Sequence, residues 1–211
     1  MSKFICDFRV VGPVQTNCFF FYEEETKQGI IVDPGDEPEK IIHYVEEKGI
    51  KVQAILLTHG HFDHIMAVEA LKSKWDVPVY ASREEKAVLE DPQINLTAHY
   101  GRPYTLSADI YLEDGEEIEL LGQKVKCILT PGHTSGGMCY YFPGQGVLFS
   151  GDTLFQESVG RTDFPTGSMG TLIRSVREKL FVLAPATKVY PGHGMMTSIE
   201  SEKMYNPYAA S

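Results

Sequence analysis

The chain has 211 residues, enough for one substantial core or two small ones, with 43% hydrophobic and 23% charged side chains, as in ordinary soluble globular proteins. Nineteen basic against 29 acidic side chains leave a formal net charge of −10, a sign that repels phosphate backbones and disfavours nucleic acid as a partner. No apolar stretch approaches the roughly eighteen residues of a membrane helix, and Asp7 and Arg9 interrupt the opening "MSKFICDFRVVG" where a signal peptide would be apolar; a cytoplasmic protein with no membrane partner is expected.

The hydrophobic pattern switches repeatedly between period two and period 3.6. Strands are predicted over 4–11, 15–22 and 29–33. A helix is predicted from 36, where "DEPE" reads as an acidic cap with a carboxylate three residues on, turning Ile41, Ile42 and Val45 inward. A strand over 52–58 leads to a helix over 63–75, with Ile65, Val68, Leu71 and Trp75 on one face, and then to a strand over 77–81. Ser82 and Glu85 have the spacing of a capping box for a helix over 82–90. Residues 91–109, "DPQINLTAHYGRPYTLSAD", show no period and contain two prolines, as a functional or mobile loop would. Strands follow over 117–121, 124–130, 138–142 and 146–150. A helix over 168–182 carries Met169, Leu172, Ile173, Val176 and Leu180 at helical spacing, and the last strand covers 187–190. Two strand-rich halves with helices outside both predict an α/β (α+β) fold: a four-layer αββα sandwich of two mostly antiparallel sheets covered by helices, as a single domain over 1–211. Cys6, Cys18, Cys127 and Cys139 have no paired spacing and are expected to be reduced and unbridged.

One phrase recurs. "QAILLTHGH", "VKCILTPGH", "GVLFSGD" and "TKVYPGH" are each an apolar strand, a turn residue or glycine, then His or Asp. Five of the seven histidines fall at such strand exits, where a rigid sheet hands over to a loop and side chains can converge on one point. A structural histidine has no reason to prefer that location. Imidazoles and carboxylates are ligands of divalent cations, and a cation removes the repulsion a bare cluster would suffer. His59 and His61, two apart in extended chain, can point the same way, while Asp63 and His64 begin the next helix and point elsewhere. With His133, Asp152 and His193 the candidates number seven, more than one tetrahedral ion needs, so two ions with a bridging carboxylate are predicted. Asp152, the carboxylate among the later phrases, is the natural bridge. His43 and His99 repeat no such phrase and are predicted to be non-ligands.

With "THGHFDH", "PGHT", "GDTLF" and "PGHG" in this order, the sequence resembles the metallo-β-lactamase fold superfamily, from the first strand to about residue 206. The resemblance implies an αββα sandwich, a first metal set of His59, His61 and His133, a second of Asp63, His64 and His193, and Asp152 shared between them. "IIVDPG" makes Asp33 similar to the buried aspartate that orients ligands in that family, in keeping with the need of a ligating histidine for an acceptor at its other N–H. "GDTLFQESVGRTDFPTGS" and "TSIESEKMYNPY" are most similar to glyoxalase II and its shorter single-domain bacterial relatives. Glyoxalase II continues into a C-terminal helical region that grips glutathione, which is not expected in this single-domain chain, while Arg161 aligns with a lysine that contacts the thiol's carboxylate there. The implied activity is hydrolysis of thioesters of the S-acylglutathione kind by a hydroxide bridging two divalent ions, zinc expected and iron or manganese as alternatives, with Asp63 and Asp152 as the catalytic carboxylates. Thiolate is a leaving group that departs without a general acid. Residues 155–165 and the 91–109 loop are expected to frame the pocket, with Tyr100, Arg102 and Tyr104 as candidate contacts. Persulfide dioxygenases also resemble the chain, through "GRTDF" and most of the histidine motif; there His59, His133 and Asp152 would hold a single Fe(II), leaving His61, Asp63, His64 and His193 outside the coordination shell. "PGHG" matches the hydrolases better.

Overall fold

A computed structural model describes residues 3–209. The first sheet contains β1 (Phe4–Val11), β2 (Thr16–Glu23), β3 (Gln28–Val32), β4 (Lys51–Leu56), β5 (Val79–Ser82) and β6 (Ile110–Leu112), in that spatial order. β1, β2 and β3 pair antiparallel. From β3 to β6 the pairings are parallel, because each connection crosses back over the sheet: through α1 (Pro38–Lys48), then α2 (Phe62–Ile65) and α3 (Val68–Trp75), then α4 (Lys86–Leu89) with the 91–109 loop. The second sheet is built from β7 (Glu117–Leu120), β8 (Gln123–Leu129), β9 (Met138–Phe142) and β10 (Val147–Gly151), joined antiparallel. A small hairpin of β11 (Leu154–Phe155) and β12 (Ser158–Val159) and helix α5 (Met169–Ser175) follow. β13 (Lys188–Pro191) then pairs parallel to β10, and β14 (Thr197–Ser198) closes that edge before α6 (Ile199–Tyr205).

The run "FFF" shows why the layers form. In a strand, successive side chains face opposite ways, so Phe19 and Phe21 point to one face and Phe20 to the other. The first pair packs with Ile30, Val32, Ala54 and Leu56 against Val125, Cys127, Tyr140, Phe142 and Phe149 between the sheets. Phe20 packs with Ile31 and Ile55 against Ile41, Tyr44, Val68 and Leu71 of the covering helices. Outside the second sheet, Cys139, Tyr141, Leu148 and Val189 meet Leu172, Val176, Leu180 and Ile199. Each such buried side chain contributes about 1.5–3 kcal/mol. The result is the expected αββα sandwich; the second sheet is mostly antiparallel as expected, but three of the five pairings in the first are parallel, because helical crossovers join β3 through β6.

Four helical expectations change in detail. The first helix starts at Pro38, and its N-cap Glu37 is left-handed with no side-chain cap. The predicted helix over 63–75 is broken at Met66–Ala67, whose N–H groups bond Gly35 O and Pro34 O in the turn after β3. Over 82–90, a 3₁₀ turn at Arg83–Glu85 precedes α4; Ser82 caps Glu84 N, but Glu85 does not close a capping box, because its carboxylate points into the protein. α5 continues as a π-helical turn over Val176–Leu180, and Met169 is exposed rather than inward. Strand pairing also explains the placement of the histidines. β8 and β10 flank β9 antiparallel, and β13 is parallel to β10, so β8, β10 and β13 end at one rim. β3 and β4 likewise run together in the facing sheet.

Candidate metal centre

At that rim the exits of β4, β8, β10 and β13 deliver His59, His61, His133, Asp152 and His193, while α2 brings Asp63 and His64. Three donor groups form there: His59, His61 and His133; Asp63, His64 and His193; and, across them, His59, His64 and Asp152. All seven candidate ligands therefore converge. In the first group His133 Nε2 lies 3.2 Å from His59 Nε2 and 2.9 Å from His61 Nδ1. In the second, Asp63 Oδ2 lies 3.1 Å from His193 Nε2 and 3.4 Å from His64 Nε2. Asp152 stands between them, with Oδ1 at 3.5 Å from His64 Nε2 and Oδ2 at 3.4 Å from His133 Nε2 and 3.6 Å from His193 Nε2. His43 and His99 are exposed and belong to none of the three groups.

The surroundings fix the ring nitrogens. His133 Nδ1 donates to the Arg161 carbonyl at 2.7 Å. Thr58 Oγ1 donates to Asp33 Oδ2 at 2.6 Å, leaving its lone pair for His59 Nδ1 at 3.2 Å. Each ring then presents an unprotonated Nε2 to the other across the 3.2 Å gap. Lone pairs held so close repel, and a cation between them reverses that sign. Around a tetrahedral zinc with ligands at about 2.0–2.1 Å, neighbouring donors stand about 3.3 Å apart, close to the separations found. His61 Nε2, His64 Nε2 and Asp152 Oδ1 are buried with no hydrogen bond, a rare state unless an ion or water is bound. The donor set fits divalent metal ions. Backbone packing is equally tight, since a Cβ on Gly192 would come within 2.3 Å of Asp152 Oδ1 and 2.7 Å of His64 Cε1.

Electrostatics separates the two groups. Burial first, then the neighbouring imidazoles, holds His59 and His61 well below the ordinary histidine range. Burial also opposes the charged form of His64, but Asp63, Asp33 and Asp152 together outweigh it and hold the imidazole well above that range. Asp63 is correspondingly held well below the carboxylate range, as His64 and the hydrogen bond from His193 overcome its burial. Asp33 sits 3.0 Å from His64 Nδ1 and accepts from Thr58 N at 2.8 Å, joining the turn after β3 to the ligand cluster.

Beside the cluster opens a cleft of about 380 Å³, walled by Val14, Phe62, Tyr100, Phe155, Phe164 and Arg161 among others. The 155–165 segment and the 91–109 loop frame it as expected, the loop through Leu96 and Tyr100, which stacks on Phe62. Arg102 lines a neighbouring recess, and Tyr104 packs against the core. Buried Asn95 pins the loop with its amide on the Leu89 and Tyr104 carbonyls. The Arg161 guanidinium forms a bidentate pair with Asp163 (2.7 and 2.6 Å) and lies 4.0 Å from the Phe164 ring centroid. Thr16 and Asn17 were not legible as site residues. Thr16 Oγ1 donates to Asp63 Oδ2 at 2.8 Å, and Asn17 Nδ2 holds the Pro191 and Gly194 carbonyls either side of His193, both at 3.0 Å. "QTN" opens a strand and carries no signal of this.

Comparison with known proteins finds relatives that match nearly the whole chain. The metallo-beta-lactamase superfamily model matches residues 11–193. The chain is 40% identical over 200 residues to the probable metallo-hydrolase YqgX of Bacillus subtilis (94% of each chain covered). It is 37% identical over 207 residues to the hydroxyacylglutathione hydrolase GloC of Haemophilus influenzae (95% of this chain, 96% of that one). Among solved structures it is similar to BLEG-1 B3 metallo-beta-lactamase, with TM-score 0.93 and 38% identity over 98% of this chain and 100% of that one. It is also similar to TTHA1623 in a di-iron-bound form (TM-score 0.84, 35% identity, 96% and 99%) and to ETHE1 from Myxococcus xanthus (0.82, 27%, 98% and 84%). A cluster of histidines and aspartates gathered at one sheet rim, on a sandwich shared with these proteins over nearly its whole length, makes this chain a member of the metallo-β-lactamase superfamily.

Proposed function

We propose that the protein is a binuclear, zinc-dependent thioesterase acting on S-acylglutathione-type thioesters in the cytoplasm. The observation that carries this reading is the position of Asp152 between the two donor groups, with Oδ1 toward His64 and Oδ2 toward both His133 and His193. His59, His61 and His133 would hold one ion and Asp63, His64 and His193 the other. Two divalent cations so held supply a water activated near neutral pH and an electrophile for the thioester carbonyl oxygen. Asp33 and Thr58 keep the rings of His64 and His59 oriented, and the Arg161 carbonyl does the same for His133. The apolar wall of Phe62, Tyr100, Phe155 and Phe164 excludes water from the acyl side. Asp63, held ionised by His64 and the hydrogen bond from His193, would be the carboxylate available to accept a proton from such a water. Arg161, on the cleft wall, would meet the thiol's carboxylate after exchanging Asp163 for it. GloC, at 37% identity, supports the substrate class.

A single-iron oxygenase is the second reading, favoured by the approach of His59 Nε2 (3.2 Å) and Asp152 Oδ2 (3.4 Å) to His133 Nε2. Metal analysis of the purified protein, with S-lactoylglutathione hydrolysis, glutathione-persulfide oxygen uptake and a β-lactam assayed side by side, separates the readings. Two ions per chain and thioester hydrolysis are expected; one iron with oxygen-dependent turnover would overturn the proposal. Arg161→Ala should raise KM for S-lactoylglutathione about tenfold with kcat unchanged, the signature of lost uniform binding from a charge-assisted hydrogen bond of ~1.5 kcal/mol.

A further inference from the structure

Among the described residues, the active-site reading leaves two buried carboxylates without a role, Glu85 and Glu202, and of these Glu85 bonds the loops that carry candidate ligands while Glu202 bonds Glu157, Thr197 and Asn206. Glu85 is 1% exposed and lies on the 3₁₀ turn before α4, outside all three donor groups. Its Oε1 accepts the Gly60 N–H at 2.8 Å, between His59 and His61. Its Oε2 accepts the Thr134 hydroxyl and the Gly136 N–H, both at 2.9 Å, directly after His133. Burying a carboxylate costs several kcal/mol unless hydrogen bonds offset it, so an ordinary core position would favour an apolar side chain. This carboxylate instead joins the two loops that supply the His59, His61 and His133 group, and makes no hydrogen bond to the segments carrying Asp63, His64 or His193. Gly136 is held so close that a Cβ there would lie 2.1 Å from Glu85 N, which fixes the His133 loop against the turn.

We infer that Glu85 is a positioning residue of the metal centre, setting the donor spacing of the His59–His61–His133 group and not that of the Asp63–His64–His193 group. The inference rests on the two-ion reading above. Glu85→Gln tests it at constant volume: an amide has one acceptor oxygen and two donors, so at least one of the three donors loses its partner.

Full-length protein loaded with zinc is challenged with graded chelator, and zinc release is recorded together with thermal unfolding. His61→Ala and His193→Ala serve as references that identify the release from each group. In E85Q, the zinc class absent from His61→Ala should leave at a 10- to 100-fold lower chelator concentration, the usual cost of removing a residue that orients ligands. The other class should stay in place. Thr134→Val, which removes one donor and keeps the shape of the side chain, should shift the same class in the same direction by less, and it decides the matter if E85Q does not fold. A merely structural role would lower the unfolding temperature and shift both classes together or neither; either result overturns the inference, as does a shift confined to the class absent from His193→Ala. If wild-type protein releases a single class, the two-ion reading falls. The inference falls with it, a result distinct from two classes that E85Q leaves unshifted.

Discussion

Asp152→Ala should empty both metal positions, whereas His61→Ala should empty one. The difference follows from where the side chains point. Asp152 approaches His64 with one oxygen and His133 and His193 with the other, so its removal takes a negative charge from both donor groups. His61 Nδ1 faces only the first group. Losing the electrophile and the water activation it supports removes several kcal/mol of transition-state stabilisation, and at ~1.4 kcal/mol per decade thioester turnover should fall at least about 10³-fold in either variant. Metal content carries the discrimination. A single iron held by His59, His133 and Asp152 predicts that His61→Ala keeps nearly all its iron while Asp152→Ala loses it. Metal analysis beside circular dichroism, to confirm folding, checks both variants. Full iron retention with persulfide-dependent oxygen uptake in His61→Ala would sink the two-ion reading.

The histidines were legible in the sequence because ligand chemistry admits few residue types and strand exits repeat. "THGHFDH" and the later "PGH" and "GD" phrases each combine an unusual residue with a recognisable local geometry, and the fold brings them together as the phrases imply. The long strands were legible for a similar reason, since Thr16–Glu23 holds an unbroken apolar run of β-favouring residues, as a strand buried on both faces does. β6, β11, β12 and β14, of two or three residues, are too short to show one. α6 went unread although Ser198 caps it by accepting from Ser201 N, because no apolar stripe follows. The break at Met66–Ala67 was hidden because its cause lies about thirty residues earlier, in the Pro34 and Gly35 carbonyls. Glu85 shows the same limit most sharply. Locally it has capping-box spacing, but three donors from two distant loops outcompete the single local N–H. Sequence spacing reports which partners are near along the chain and says nothing of the stronger ones that folding brings up.

Stripping the metal with chelator should abolish turnover reversibly and lower the unfolding temperature by roughly 5–10 °C at neutral pH. An ion at about 100 times its dissociation constant stabilises the folded chain by ~2.7 kcal/mol, and a chain of this length shifts about 2–4 °C per kcal/mol. The pH dependence of the stripped protein follows from the two groups. His59 and His61 are held well below the ordinary histidine range, so the unfolded chain takes up protons that the folded one refuses. Their share of stability is present above about pH 6.5 and is lost as pH falls below it. His64 is held above that range; its share is complete below about pH 6.5 and is lost only as pH rises through its folded value. Acidification from pH 7 to 5 therefore leaves the His64 share nearly constant and removes that of the other two, so the stripped protein should lose stability monotonically toward acid. Ion binding must expel the His64 proton, so the difference between loaded and stripped unfolding temperatures should also narrow as pH falls. Differential scanning calorimetry at stepped pH, with proton release followed during zinc addition, measures both effects. A temperature difference that widens toward acid, or zinc uptake without proton release, would mean that His64 is not a ligand.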